Sequence, residues 1–174
     1  MSTSRTITLT VNGRTVTRTA GAHLTLLRWL RDVAGVTDPK YGCGEGICGS
    51  CTVLLDGQPV SGCLVLAAQA DGSNVTTAAG LLEPDGSLGP LQRAFHATHA
   101  AQCGFCTPGM LMAATAMLAE GRPRSRAEIR AALHGNLCRC TGYGPIVDAV
   151  ELAQRELAQR EPAPDASATE PAGA

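Results

Sequence analysis

The amino-acid sequence predicts an α+β protein, with a small sheet packed on one helix at the start of the chain and only helices after it. Three observations predict this class. Strand and hairpin patterns occupy residues 1–80, the turn-rich segment LLEPDGSLGP covers 81–90, and apolar residues then recur at helical spacing. We therefore expect one domain over 1–80, a second over 81–160 and a disordered tail over 161–174, which is rich in proline and alanine.

The first predicted elements are two hairpins around one helix. Residues 6–11 (TITLTV) alternate polar and apolar side chains, as a strand with one buried face does. The Asn-Gly pair at 12–13 and the Asp-Gly pair at 56–57 are two-residue hairpin signals, each followed by a returning strand. Between the hairpins, LTLLRWLRDV predicts a helix over 24–33, because apolar residues recur there at helical spacing and define one buried face. They are Leu26, Leu27, Leu30 and Val33. NVTT at 74–77 predicts a last short strand.

Four helices are predicted after the linker, and the first three have recognisable starts. Pro90 can occupy the first turn of a helix that runs to about Ala101. Thr107 is the predicted N-cap of the next helix, because a proline follows it at the first helical position. Ser125 and Glu128 have the Ser-x-x-Glu spacing of a capping box that begins the third helix.

The last helix is predicted to open at Pro145. Its apolar residues recur at helical spacing and so define one buried face. That face comprises Ile146, Val150, Ala153 and Leu157. Pairs of opposite charge at i,i+4 are expected to stabilise the exposed side. These pairs are Glu151–Arg155 and Glu156–Arg160.

Composition argues against several classes of function. The formal net charge is −1, so a basic surface for nucleic acid or an anionic membrane is not expected. No stretch approaches the roughly 18 apolar residues of a membrane span, and the N-terminal MSTSRTITLTVNGR shows no export signal, so we expect a cytoplasmic protein. Cytoplasmic thiols stay reduced, and eight cysteines in such a chain therefore indicate metal binding rather than disulfides.

The eight cysteines divide into two groups of four with none left over. The first group has the spacing C-x4-C-x2-C-x11-C and comprises Cys43, Cys48, Cys51 and Cys63. The second has the spacing C-x2-C-x31-C-x-C and comprises Cys103, Cys106, Cys138 and Cys140. One group precedes the linker and the other follows it, so the sequence predicts one four-thiolate site in each domain.

The first spacing is that of plant-type ferredoxins, which bind a [2Fe–2S] cluster. A loop around a cluster brings several backbone N–H groups close to the sulfurs, and glycine permits the positive φ angles and the close approach that this requires. The glycines that meet this demand are Gly42, Gly44, Gly46 and Gly49. A structural zinc site rarely needs such a loop, so a cluster is favoured over zinc at this site.

The second group is compatible with more than one metal when its spacing is considered alone. Cys103 and Cys106 directly precede a predicted helix, whose N-terminal dipole favours thiolates. Cys138 and Cys140 cannot share one face of a regular helix and therefore need a turn. A zinc site remains an alternative here. A thioredoxin-type redox pair is a weaker one, because no βαβ pattern surrounds the C-x2-C.

Other candidate groups have simpler interpretations. His96 and His99 are interpreted as a solvated or partly buried helix face. Three methionines are expected to fill core space between helices, namely Met110, Met112 and Met117. No paired catalytic carboxylates and no glycine-rich nucleotide motif are evident. We therefore assign no catalytic residue, and the chain is expected to accept and pass electrons.

Three motifs in this order resemble those of the small iron–sulfur subunit of molybdenum hydroxylases, the xanthine oxidase family. They are GCGEGICGSCTV at 42–53, QCGFCTPGM at 102–110 and NLCRCTGY at 136–143. The resemblance covers about residues 5–158. The family includes aerobic carbon monoxide dehydrogenase, N-heteroaromatic dehydrogenases and aldehyde oxidoreductases.

The resemblance implies a plant-ferredoxin-like β-grasp domain followed by an all-α helical bundle, each holding one [2Fe–2S] cluster. It implies that electrons leave the molybdopterin cofactor of a large subunit and pass to the cluster of the second cysteine group. They then pass to the cluster of the first group and to the FAD of a medium subunit. Gln102 matches the family glutamine that hydrogen-bonds the pterin. The implied assembly is a heterotrimer, which the family also doubles into a hexamer.

Two other hypotheses stay open on the sequence. The chain could be a free-standing two-cluster ferredoxin that serves several partners, or its second domain could be a zinc-bound interaction module. The substrate belongs to the molybdenum subunit, so carbon monoxide, purines, other N-heterocycles and aldehydes are all compatible with this chain.

Overall fold

The computed structural model describes residues 3–159, so the tail predicted at 161–174 lies outside the described residues. The strands are β1 (Ser4–Val11), β2 (Arg14–Gly21), β3 (Thr52–Leu55), β4 (Gln58–Ser61) and β5 (Asn74–Thr76). The α-helices are α1 (Leu26–Arg28), α2 (Pro90–Ala97), α3 (Thr107–Leu118), α4 (Arg126–Ala132) and α5 (Gly144–Gln159). This order of a sheet followed by helices confirms the predicted α+β class.

The five strands form one sheet in the order β2-β1-β5-β3-β4. Both predicted hairpins are present, because β1 pairs antiparallel with β2 and β3 pairs antiparallel with β4. The short β5 joins them, running parallel to β1 and antiparallel to β3. Alternation in β1 buries Ile7, Leu9 and Val11 on the face that carries α1. The sheet therefore grips one helix, as the β-grasp resemblance implied.

The predicted helix at 24–33 is wound in two ways. The short α1 continues into a π-helical turn, Trp29–Val33, in which the Ala34 N–H donates to the Trp29 carbonyl at 2.9 Å. In this wider turn Trp29 and its neighbour Leu30 are both fully buried. Val33, which the helical spacing placed on the buried face, is only partly buried.

Two helix ends differ from the sequence prediction. The helix α2 ends at Ala97 rather than near Ala101, because the Thr98 hydroxyl donates to the Ala94 carbonyl at 2.9 Å and the backbone turns out of the helix. Cys106, one residue before the predicted Thr107, is the N-cap of α3. The capping box of α4 is confirmed, since Ser125 and Glu128 bond reciprocally.

The last helix buries most of its predicted face, and one of its two predicted ion pairs is replaced by a pair with another helix. Leu157 is 40% exposed and lines a groove of about 390 Å³, whereas the other three residues of that face are buried. Glu151 bonds Arg126 of α4, and Glu156 bonds Arg93 of α2. The predicted i,i+4 pairing is therefore wrong for Glu151, because an arginine of a neighbouring helix reaches it. Arg160, the other predicted partner, lies beyond the described range 3–159.

The helices pack directly on the sheet. The helix α3 lies against β3 and β4, and Leu54 of β3 belongs to the same apolar core as the helices. The three methionines of α3 are buried in that core, as predicted. The two cysteine-bearing halves are thereby held against each other, which brings their loops into contact.

Candidate iron–sulfur sites

The first cysteine group lies at one end of the β3–β4 hairpin. Cys51 directly precedes β3 and Cys63 follows β4, and the pairing of Thr52 with Ser61 holds these two strand ends side by side. Both thiols are buried, and Leu27 packs against them. Cys51 makes side-chain contact with Cys63 and also interacts with Cys48 of the preceding loop. The structure thus brings all four predicted thiols together, since Cys48 in turn contacts Cys43.

The thiol of Cys43 is surrounded by backbone donors. Its Sγ accepts from the N–H groups of Glu45, Ile47 and Cys48 at 3.4, 3.3 and 3.4 Å. The N–H groups of Glu45 and Cys48 are the main cause of a lowered pKa of Cys43, about 6. By contrast, burial raises the pKa of Cys51 to about 11. The loop is therefore built to hold negative charge on the Cys43 sulfur, as a thiolate-ligated cluster requires.

The glycines of this loop confirm the role predicted for them, with one difference. Gly44, Gly46 and Gly49 have φ angles of +77°, +75° and +67°, which a residue with a Cβ rarely adopts. Gly42 is not among the residues with positive φ. A Cβ at Gly42 would lie 2.7 Å from the Cys48 Sγ, so here the absent side chain makes room for a sulfur.

The second cysteine group joins two helix-flanking loops. Cys103 and Cys106 precede α3, while Cys138 and Cys140 lie in the loop before α5. The Sγ atoms of Cys103 and Cys140 are 3.6 Å apart at the surface. The thiols of Cys106 and Cys138 contact each other and are partly buried. The four residues predicted from spacing therefore converge here as well.

The environment of the second group also favours the thiolate form of two of its cysteines, Cys103 and Cys138. The N–H of Phe105 is the main cause of a lowered pKa of Cys103. Burial opposes ionisation of Cys138, but hydrogen bonds from Thr141 and the N–H of Cys140 outweigh it and lower the pKa of Cys138. Burial raises the pKa of Cys106 to about 12. Cys106 therefore needs a bound cation to ionise near neutral pH.

The two groups touch through the segment that precedes Cys138. The Leu137 N–H donates to the Cys48 carbonyl at 2.9 Å. The buried Asn136 side-chain amide donates to the Gly49 carbonyl at 2.9 Å and lies 3.3 Å from the Thr52 hydroxyl. The sequence analysis assigned Asn136 no role, although Asn136 is the first residue of the motif NLCRCTGY.

The remaining predicted residues lie at the surface. Gln102 is exposed, in the loop that presents Cys103. His96 and His99 are both exposed, as expected of a solvated surface, although His99 lies past the end of α2 with φ +54°. No helix among residues 3–159 combines the length and apolar character needed to cross a bilayer. Within the same range, no three His, Cys, Asp or Glu side chains converge in the manner of a single-ion site.

The donor set fits a cluster of two irons. Four thiols are the ligands of a [2Fe–2S] centre. Backbone N–H groups are directed at the sulfurs of Cys43 and Cys103, and such groups would stabilise the negative charge that a bound cluster carries. Each group has two more buried and two more exposed thiols, and these would supply the four thiolate ligands of such a centre.

Comparison with known proteins agrees with this chemistry. A family model described as "2Fe-2S iron-sulfur cluster binding domain" matches residues 9–78, and one described as "[2Fe-2S] binding domain" matches residues 77–151. The nicotine 6-hydroxylase small subunit of Paenarthrobacter nicotinovorans is 50% identical over 154 residues, covering 88% of this chain and 92% of that protein. The xanthine dehydrogenase iron-sulfur-binding subunit of Escherichia coli O157:H7 is 47% identical, covering 86% and 96% respectively.

Solved structures show the same fold. A chain of quinoline 2-oxidoreductase from Pseudomonas putida 86 superposes with a TM-score of 0.85 at 46% identity, covering 89% of this chain and 96% of that one. The aldehyde oxidoreductase of Desulfovibrio desulfuricans superposes with a TM-score of 0.83 at 44% identity, and there the match covers 17% of a longer chain.

Proposed function

The chain belongs to the small iron–sulfur subunits of the xanthine dehydrogenase family of molybdenum hydroxylases, and from that premise we propose the path of its electrons. Electrons enter from the molybdopterin centre of a large subunit, cross the second site and then the first, and leave to the FAD of a medium subunit. Each [2Fe–2S] cluster, when bound, supplies a one-electron carrier. Substrate choice and bond chemistry are assigned to the large subunit.

We assign the cluster ligands to the eight cysteines. The first cluster, in the domain proposed over 1–80, is held by Cys43, Cys48, Cys51 and Cys63. The second, in the domain proposed over 81–160, is held by Cys103, Cys106, Cys138 and Cys140. Exposed Gln102 is assigned a hydrogen bond to the pterin, because it adjoins Cys103, one of the two exposed thiols of the second site.

The main structural support for this electron path is the contact between the two loops that hold the cysteines. The hydrogen bond from the Leu137 N–H to the Cys48 carbonyl joins a residue adjacent to Cys138 with a ligand of the other site. The Asn136 amide holds the same two loops together one residue earlier. Two carriers in one chain exchange electrons only when they are close, and these bonds make the separation between the loops short and fixed.

Two exposed apolar rims support the proposed partners. Near the second site, Phe105 is 45% exposed beside the surface thiols of Cys103 and Cys140, and we assign this rim to the large subunit. At the first site, Ile47 and Leu64 are each 61% exposed over the ligand loop, and we assign this rim to the medium subunit. Exposed large apolar side chains on a functional loop are typical of surfaces covered by a partner.

Reciprocal substitutions test this assignment. Phe105→Lys should weaken binding of the large subunit by about 30-fold, as for a buried aromatic worth about 2 kcal/mol, and leave the medium subunit bound. Ile47→Lys should do the reverse, so each variant serves as the control for the other. The measurement is the subunit content of complexes purified through a tag on this chain. Loss of the same subunit from both variants would contradict the assignment of two faces.

Low-temperature EPR of the dithionite-reduced complex, with metal analysis of the same sample, tests the cluster content. We expect two distinct S = 1/2 signals of equal intensity, and about four irons per copy of this chain beyond any iron in the partners. One signal with about two irons and one zinc would instead identify the helical half as a zinc module. A chain that purifies alone with both signals would favour the free-standing ferredoxin.

A further inference from the structure

The loop from Cys138 to Tyr143 is closed by four hydrogen bonds. The Thr141 hydroxyl lies 3.1 Å from the Cys138 Sγ, and the Thr141 N–H donates to the same sulfur at 3.5 Å. The Tyr143 N–H donates to the Thr141 hydroxyl at 3.2 Å, and the Cys138 N–H donates to the Tyr143 phenol oxygen at 3.0 Å. The Thr141 hydroxyl is therefore fixed between a backbone donor and a ligand sulfur.

These contacts determine which way the Thr141 hydroxyl points. A hydroxyl has one hydrogen, and its oxygen here already accepts the Tyr143 N–H. A metal-bound Cys138 is a thiolate, which can only accept. The remaining hydrogen of Thr141 is consequently donated to the Cys138 sulfur, which makes this a charge-assisted bond.

The loop that holds Thr141 is anchored to the helical core. Tyr143 has a φ of +67°, an unusual value for a residue with a side chain, and its ring packs against the core of the helices. Its carbonyl accepts the Val147 N–H in the first turn of α5. Such a backbone conformation persists only where its surroundings enforce it, so the hydroxyl is held in place before any partner binds.

The two sites differ in how their sulfurs are hydrogen-bonded. At Cys43 the three donors are backbone N–H groups, which only a substitution by proline would remove. In the described part of the chain, Thr141 provides the one side-chain hydroxyl that contacts any of the eight thiols. A donated hydrogen bond stabilises the more negative, reduced form of a cluster and so raises its reduction potential.

We propose that Thr141 is a positioning residue that raises the reduction potential of the second cluster by donating its hydroxyl hydrogen to Cys138. The inference rests on the proposed function, because it takes Cys138 as a ligand of that cluster. A higher reduction potential makes the second cluster a better electron acceptor. The hydrogen bond therefore favours electron transfer from the donor to the second site.

The test is a redox titration of the purified complex, followed by EPR, in which the first cluster of the same molecule serves as the internal reference. Thr141→Val removes the hydroxyl at nearly constant shape, and Thr141→Ser keeps it. We expect the midpoint potential of the second signal to shift downward in the valine variant and to stay at the wild-type value in the serine variant. The first signal should not move in either variant.

An unchanged second potential in Thr141→Val, or an equal shift of both signals, would overturn the proposal while leaving the two-cluster assignment intact. A wild-type complex without a second signal would instead overturn the proposed function. Should Thr141→Val fail to hold the second cluster, Thr141→Ala is titrated in its place. Loss of the cluster from both, with retention in Thr141→Ser, would overturn the proposal, because the hydroxyl would then be needed to hold the cluster and not to set its potential. Loss in Thr141→Ser as well refutes the proposal.

Discussion

Cys106→Ser is expected to remove the second cluster and to stop the reduction of flavin by substrate. Cys106 is the N-cap residue of α3, and its thiol contacts that of Cys138. Serine is a poor ligand for iron, so Cys106→Ser leaves the second site with three thiolate ligands instead of four. The first signal should remain, because Cys43 receives its N–H donors from its own loop. Iron should fall from about four to about two per chain.

The decisive measurement is anaerobic stopped-flow reduction of the flavin by substrate in the purified complex. We expect a rate more than about 100-fold below wild type, since changes in the shell outside the ligands already cost 10–100-fold. Thr107→Ala, at the next residue along α3, is the matched control and should keep both signals and the wild-type rate. Wild-type flavin reduction in a Cys106→Ser complex that lacks the second signal would refute the relay.

The parts of this protein that could be predicted from its sequence depend on residues close together in the chain. The Asn-Gly and Asp-Gly hairpins, the Ser125 capping box and the cysteine spacings are all local, and each is present in the structure. The convergence of Cys103 and Cys106 with Cys138 and Cys140 is long-range, and it was predicted by dividing the eight cysteines into two groups of four. Only the choice of a [2Fe–2S] cluster over zinc at this second site depended on the resemblance to a known family.

The parts that could not be predicted depend on packing between elements. Glu151 has two arginines within reach on different helices, and only the packing of α4 against α5 selects Arg126. The wide turn at Trp29 buries an indole that the regular helical spacing did not place in the core. Asn136 could not be assigned either, because its partners Gly49 and Thr52 lie more than eighty residues earlier in the chain.

A second contact between the two halves of the chain joins α3 to the loop of the first cysteine group. The Gly49 carbonyl accepts from the Thr52 N–H at 3.1 Å, the Thr52 hydroxyl at 2.7 Å and the Asn136 amide at 2.9 Å. Gly109, in the first turn of α3, is buried against this carbonyl. The position of one carbonyl therefore depends on both halves, and the absence of a Cβ at Gly109 is what lets them meet.

Gly109→Ala should consequently destabilise the protein and disturb the first cluster. The new Cβ would lie 2.1 Å from the Gly49 carbonyl oxygen and 3.1 Å from the Ser50 Cα, both backbone atoms that cannot rotate away. Overpacking of this kind costs about 1–3 kcal/mol, and a displaced carbonyl would remove the shorter of the two hydrogen bonds of the buried Asn136 amide at a further cost of about 1–3 kcal/mol. We expect a loss of about 3 kcal/mol or more, which lowers the melting temperature by about 6–12 °C for a chain of this length.

Thermal unfolding of the complex, followed at the visible absorption of its clusters, measures this effect, and the EPR line shape of the first cluster localises it. Gly144→Ala is the control, because a Cβ there meets open space at the start of α5 and should leave both readouts unchanged. The first signal should broaden or weaken in Gly109→Ala while the second is retained. Wild-type melting together with a wild-type first signal would mean that α3 can move away from the loop freely. The two halves would then not depend on each other for the geometry of the first site.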